Sequence, residues 1–232
     1  MTPTAADILD VLKSCHEESG MAVIAGGPGV GKTQAITYHA VNSNTAWVIT
    51  VHESARDLFP CLAQLAKVIG AYNPNTGTRP LREEIVNRLG HVGPKVLLVF
   101  DEAHKLEDAT LEDIRSLYDE FEIGIVLVGD RSLLSRWGSK SPDRRSTWTQ
   151  LVSRVTHMMD IPSPLPEDVD ALCDHLGPVT SRARKLLTRE VEARGDLRTV
   201  SGLIKIGRKQ AGNGAIEASH IERAMQLRGA RL

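Results

Sequence analysis

The residues Gly26, Gly27, Pro28, Gly29, Val30, Gly31, Lys32 and Thr33 run consecutively and satisfy the pattern G-x-x-x-x-G-K-[ST] in full. Their chemistry is phosphate binding. Glycines let backbone N–H groups converge on phosphate oxygens, and a helix opening at the end of the loop adds the positive end of its dipole. Lys32 is expected to reach the terminal phosphates of a nucleotide, Thr33 to ligate magnesium and Gln34 to complete the binding stretch. Asp101, which closes the apolar run "VLLVF", can hold the same magnesium. Beside it, Glu102 is a candidate to polarise a water for attack on the terminal phosphate, which separates a hydrolase from a kinase. The other reading of Glu102 is a solvated carboxylate at a helix start. Asp130 ends the run "GIVLVG". A carboxylate close to a phosphate is repelled unless a cation or proton intervenes, so Asp130 slows hydrolysis, passes its role to a neighbour, or serves only as a turn or helix cap.

Such residues need buried strands with loops at their carboxyl ends. The apolar runs "MAVIAG", "AWVITV", "KVLLVF" and "IGIVLVG" read as strands of that kind, nearly continuous in apolar residues as parallel strands are. Helical periodicity covers Ala5–Cys15, the stretch from the phosphate loop through Tyr38, Ala55–Ile69, Leu81–Leu89 and Leu111–Phe121. Strands alternating with helices imply right-handed crossovers and a parallel sheet with helices on both faces, and a short strand around "THMMDI" closes this part. The proline-bearing "IPSPLPEDV" marks a boundary, and only helical periodicity follows: Pro166–Leu176, Ser181–Ala193, Leu197–Gln210 and Ile216–Gln226. The expectation is an α/β P-loop core over residues 1–161 and a small all-helical lid over residues 162–232.

Composition narrows the class. A net charge of -1 makes the whole molecule a poor electrostatic partner for nucleic acid, so any polyanion contact needs a local basic stripe. Cys15, Cys61 and Cys173 are odd in number and lack metal-ligand spacing, which argues against a disulfide framework or a zinc site. The sequence opens on no signal peptide, and its apolar runs are too short to span a bilayer, so a cytoplasmic protein with no membrane partner is expected. "DEAH" matches a helicase signature as well, but 232 residues are too few for two recombinase-like halves.

The order of phosphate loop, "DEAH", strand tip, "SRV" and "GDLR" in a sheet-plus-lid chain resembles the AAA+ ATPases, and among them those that serve DNA transposition. The similar stretches run from about Met21 to Gly207. The resemblance implies ATP and magnesium as ligands. It also implies slow hydrolysis, nonspecific binding of double-stranded DNA in the ATP state, homo-oligomers in the form of a helical filament or ring, and delivery of target DNA to a transposase. The host cytoplasm of a bacterium would be the setting for a phage or mobile element. Where such ATPases place a polar residue on the strand tip, usually asparagine, this chain has Asp130. Arg154 of "SRV" occupies the position from which they point an arginine into the neighbouring subunit's site, with Arg144 and Arg145 as competitors. Arg198 of "GDLR" begins a lid helix and is expected to fold over the phosphates. For DNA, the polar stretch "YNPNTGTRPLREEIVNRLG" offers Arg79 and Arg82, with Lys105 as a further candidate. A helicase-loader or initiator-type ATPase shares every nucleotide residue. A non-hydrolysing scaffold is the third reading if Asp130 cripples the site.

Overall fold

The computed structural model describes residues 1–74, 77–93, 95–136 and 149–229. It opens on α1 (Pro3–Glu18), where the Thr2 hydroxyl accepts the Ala5 N–H at 3.3 Å and Pro3 fills the first helical position. Ile8, Leu9, Leu12 and Cys15 form its buried stripe. β1 (Met21–Gly26), α2 (Lys32–Val41), β2 (Ala46–Thr50), α3 (Leu58–Ile69) and α4 (Thr78–Val92) come next. Then come β3 (Leu97–Asp101), α5 (Asp108–Glu120), β4 (Gly124–Gly129), the single turn α6 (Ser132–Ser135) and β5 (Val155–Ile161). The described chain ends with α7 (Pro166–Leu176), α8 (Ser181–Arg194), α9 (Leu197–Ala211) and α10 (Ala218–Gly229).

The sheet runs in the order β2-β3-β4-β1-β5, with β1 on β4, β4 on β3 and β3 on β2 all parallel. β4 is thus inserted between the strand that leads into the phosphate loop and the strand that ends in Asp101. Every residue of β1, β3 and β4 is buried, the physical reason these strands read as unbroken apolar runs. Edge strand β5 instead alternates half-buried and exposed positions. Register brings Ala25 beside Gly129, Phe100 beside Leu127 and Thr50 beside Asp101, so the carboxyl ends of these strands finish together.

Packing divides the chain into two compact units. A sheet unit comprises residues 8–25 and 33–160, and a helical unit comprises residues 1–7, 26–32 and 161–232. Phe100, Leu62, Leu65, Leu81 and Ile85 are among the fully buried side chains of the sheet unit, each contributing about 1.5–3 kcal/mol of transfer free energy. In the helical unit Val169, Leu187, Val200, Leu203, Ile204 and Ile221 form a separate core. One carboxylate, Asp168, is completely buried there; it accepts the Thr4 N–H at 2.9 Å, the Thr4 hydroxyl at 2.6 Å and the Leu165 N–H at 2.8 Å. Those donors offset the desolvation that makes a lone buried charge untenable.

Several helix boundaries differ from the sequence expectation, among them the starts of α3, α4 and α5, the last beginning at Asp108 rather than Leu111. α3 starts at Leu58 rather than Ala55, because Glu53–Ala55 forms a separate 3-10 turn and Asp57, extended, opens the helix. α4 begins at Thr78, a turn earlier than expected, and carries Pro80 in its first turn, where a missing N–H breaks no helical bond. Arg79 therefore stands on the same helix as Arg82.

The three cysteines are buried, and desolvation pushes the Cys15 and Cys61 thiols up to about 12 and Cys173 up to about 11, far from a reactive thiolate. Among the described residues no helix is long and apolar enough to cross a membrane.

A histidine pair sets a pH dependence. His16 Nδ1 lies 3.1 Å from His39 Nε2, and His16 Nε2 lies 2.9 Å from the Lys95 carbonyl oxygen and 3.0 Å from the Thr45 hydroxyl. Burial lowers the pKa of both rings, aided at His39 by the charge on His16 and Lys13. The folded state therefore prefers neutral rings, so their contribution is complete above the unfolded value near 6.5 and is lost as pH falls below it. The urea midpoint is expected to drop between pH 7.5 and pH 5, and a His16→Gln/His39→Gln protein is expected to show a flatter profile. An equal acid dependence in both proteins would remove the pair from this role.

Candidate nucleotide site

Within the helical unit, the phosphate loop is shaped by its glycines. Gly29 and Gly31 adopt φ of 72° and 104°, left-handed values that turn successive amides toward one side of the chain. Gly26 and Gly27 are required for another reason: a Cβ at either would meet the Ile161 or Pro162 carbonyl oxygen at 2.7 and 2.8 Å, where the end of β5 passes against the loop. The Gly27 N–H donates to that Ile161 oxygen at 2.9 Å. Val30 is fully buried and anchors the loop, while Pro28 and, on the first turn of α2, Gln34 are exposed. Lys32 folds back over the loop, donating to the Gly26 and Gly27 carbonyl oxygens at 2.8 Å each.

Gly29 has a further partner that sequence reasoning missed. A Cβ there would fall 1.8 Å from Asp196 Oδ1, and Gly29 O accepts the Leu197 N–H at 3.2 Å. Asp196 caps α9, accepting the Arg198 N–H at 2.9 Å, the Thr199 N–H at 3.1 Å and the Thr199 hydroxyl at 2.6 Å. Burial opposes its charge, but the Thr199 hydroxyl and the two amides prevail and hold its carboxyl below the ordinary range. The aspartate before "LR" was the available signal: it is an N-cap residue ahead of an apolar run. Arg198 itself is exposed on the first turn of α9.

Within the sheet unit, Thr33 Oγ1 donates to Asp101 Oδ2 at 3.1 Å, and Asp101 is 2% exposed. A hydroxyl and a carboxylate oxygen already together at a strand end are hard donors of the kind magnesium selects, so the residues fit that ion. Asp101 Oδ1 accepts the Glu102 N–H at 2.9 Å. Glu102 has φ of 59° and ψ of 30°, the left-handed region, sparsely populated by non-glycine residues and common where function fixes the chain. Its Oε2 lies 3.0 Å from Lys105 Nζ and 3.7 Å from His104 Nε2. His104 Nε2 lies also 3.6 Å from Asp130 Oδ2, while the Asp130 N–H points at His104 Nδ1 at 3.3 Å. An N–H directed at Nδ1 assigns the neutral ring's proton to Nε2, facing both carboxylates. Asp130 also closes the turn into α6, accepting the Ser132 N–H at 2.8 Å and the Ser132 hydroxyl. His104 joins Glu102 and Asp130, a link that no local residue pattern announces.

Arg154 grips Asp119 through two parallel bonds of 2.8 and 3.0 Å and also donates to the Gln150 carbonyl oxygen at 2.9 Å. Hydrogen bonding from Arg154 holds the Asp119 carboxyl below its usual range. Arg144 and Arg145 lie outside the described residues. Of the residues expected to meet DNA, Arg79 is almost fully exposed, 3.8 Å from Glu83. Arg82 is held by Asp113 at 3.2 Å and Glu120 at 2.8 Å, and Lys105 by Glu102.

A parallel sheet with an inserted strand, a glycine loop and a strand-end Thr33–Asp101 pair define a P-loop nucleotide-binding protein of the AAA class. The AAA domain family matches residues 15–137, more than half of the chain, and the chain belongs to that family. Among curated proteins it is similar to the ATP-dependent target DNA activator B of Escherichia phage Mu, 28% identical over 205 residues. That match covers 88% of this chain and 64% of the relative. It is also similar to the Mu-like prophage FluMu DNA transposition protein B of Haemophilus influenzae, 29% identical over 86% of this chain and 69% of the relative. The chain thus spans under two thirds of the phage Mu protein's length. Among solved structures, Cdc6p of Pyrobaculum aerophilum aligns with a TM-score of 0.69 at 18% identity, over 95% of this chain and 65% of that one. The Aeropyrum pernix Orc1 protein, solved in complex with DNA, aligns at 0.67 and 14%, over 98% and 65%. At such identities these two establish the shared AAA+ architecture and nothing more.

Proposed function

We propose that the protein is an ATPase that binds duplex DNA without sequence preference in its ATP state, assembles on it as a filament or ring, and delivers it to a transposase. Hydrolysis then disassembles the complex. The observation that carries this reading is the similarity, over 88% of the chain, to a protein described as an ATP-dependent target DNA activator, in a chain that keeps a complete phosphate loop and the Thr33–Asp101 pair. An initiator or helicase-loader role has only the shared fold behind it.

In this reading the loop amides and Lys32 hold the phosphates of ATP, while Thr33 and Asp101 hold magnesium, which would neutralise phosphate charge when bound. Glu102 takes a proton from the attacking water. Its carboxylate, oriented by Lys105, sits beside the His104 Nε2–H, and His104 also faces Asp130. That imidazole gives the Asp130 carboxylate a proton donor to face, which supports hydrolysis despite the departure from asparagine. Arg198 covers the phosphates from α9. Arg154 acts on the ATP of the neighbouring subunit and exchanges Asp119 for a phosphate when subunits meet. Arg79 is the DNA candidate of the sheet unit whose side chain is most exposed, at 94%.

The test is fluorescence anisotropy of a random-sequence duplex with ATP, with ADP and without nucleotide, across a salt series. Tight binding only with ATP, falling steeply with salt, is the expected result, and binding indifferent to nucleotide would contradict it. Arg154→Ala is expected to reduce DNA-stimulated phosphate release by about 10³-fold, while a lone subunit binds nucleotide as before. Unchanged turnover would exonerate Arg154.

A further inference from the structure

Beyond Arg198, the face of α9 that leads away from the phosphate loop carries cations not used above. Positions 198, 202, 205 and 209 follow the i, i+4, i+7, i+11 spacing of one helical stripe. Lys205 and Lys209 are exposed on it. Gly202 has no side chain, and Arg228 of α10 lies in the gap. Its guanidinium donates to the Thr199 carbonyl oxygen at 2.9 Å, and a Cβ on Gly202 would lie 3.3 Å from it. Arg228, Lys205 and Lys209 thus form a line, rising about 1.5 Å per residue over positions 202 to 209, roughly 10 Å in all. Phosphates on one strand of duplex DNA recur about every 3.4 Å of axis while the strand winds around it, so a row of this length can meet neighbouring phosphates of one strand.

Among the described residues this row lacks charge pairing, as do Arg182, Lys185 and Arg189 of the same unit, and what distinguishes it is its regular helical spacing. In the sheet unit Arg82, Arg115, Arg131 and Arg154 each hold a carboxylate. Among the described residues, Lys205, Lys209 and Arg228 form no ion pair, and the one hydrogen bond of Arg228 goes to a neutral carbonyl. A straight line of uncompensated cations at this spacing matches a regular polyanion better than a folded acidic surface.

We propose that Arg228, Lys205 and Lys209 contact the phosphate backbone of duplex DNA, and that α9 links this contact to the nucleotide. The inference rests on the DNA-binding reading above. The link is direct: the same 15-residue helix begins at Asp196 and Leu197, which lie against Gly29 of the phosphate loop. A nucleotide that repositions the loop moves the helix carrying the row, and DNA held by the row biases the loop in return.

The experiment uses the full chain with ATP and magnesium on a fluorescent random-sequence 30-base-pair duplex, comparing wild type with Lys205→Gln/Lys209→Gln. Each lost phosphate contact removes about 0.9 from the slope of log affinity against log salt. The double variant is therefore expected to lose about 1.8 per bound subunit and to bind about 30-fold more weakly near 0.15 M salt. Its DNA-free ATP turnover is expected to be unchanged. Both lysines are exposed, so folding is not at stake, and Arg228→Gln should independently lower the slope by about 0.9. Wild type that binds while these variants match it in slope and affinity overturns the row alone. Wild type that holds no duplex in ATP overturns the DNA reading and the row with it.

Discussion

Alanine in place of Lys32 is expected to abolish ATP-dependent retention of duplex DNA. The ammonium lies 2.8 Å from two carbonyl oxygens of its own loop, so it is already directed across the concave side where phosphates would enter. Exchanging those neutral acceptors for phosphate oxygens gives charge-assisted bonds of about 1.5–3 kcal/mol each. Losing two of them lowers nucleotide affinity by roughly 10²–10⁴-fold. Alanine suits the first position of α2, so the fold is expected to survive with an unchanged melting temperature. Titration with a fluorescent ATP analogue gives the affinity, and anisotropy with the duplex gives the consequence. Full DNA binding by Lys32→Ala in ATP would break the proposed coupling between nucleotide and DNA.

The second large effect is expected at Glu102. Glutamine keeps the size of the side chain, can accept the Lys105 ammonium as the carboxylate does at 3.0 Å, and tolerates the left-handed backbone about as well as glutamate. What it loses is basicity. Phosphate release in the presence of DNA is expected to fall by about 10²–10⁴-fold, the range for removing a positioned general base. If, as proposed, assembly needs ATP bound rather than cleaved, Glu102→Gln is expected to form complexes on DNA that persist after unbound ATP is removed. Complexes that dissolve at the wild-type rate would take the base role away from Glu102.

The contrast between strands and contacts shows what the sequence could convey. β1, β3 and β4 are buried on both faces, so their apolar runs announced them and located Asp101 at a strand end. The phosphate loop was equally legible, because the short-range spacing of glycine, lysine and threonine is itself the requirement. Contacts between residues far apart in the chain left no such pattern. Nothing in "GDLR" says that Asp196 lies against Gly29, and nothing in "SLYDEF" says that Asp119 binds Arg154. Arg82 looked like a free cation in a polar stretch until folding brought Asp113 and Glu120 beside it. On α9, Gly202 leaves room beside which the Arg228 guanidinium of α10 lies, a contact between helices that no local pattern announces.

The central claim is that the bound nucleotide decides whether subunits remain assembled on DNA. Electron microscopy of the protein with a long duplex tests it most directly, first with ATP and then after exchange into ADP. Regular protein-coated DNA in ATP that clears to bare duplex in ADP is the predicted result. Identical coating in both nucleotides, or bare DNA in both, would contradict it.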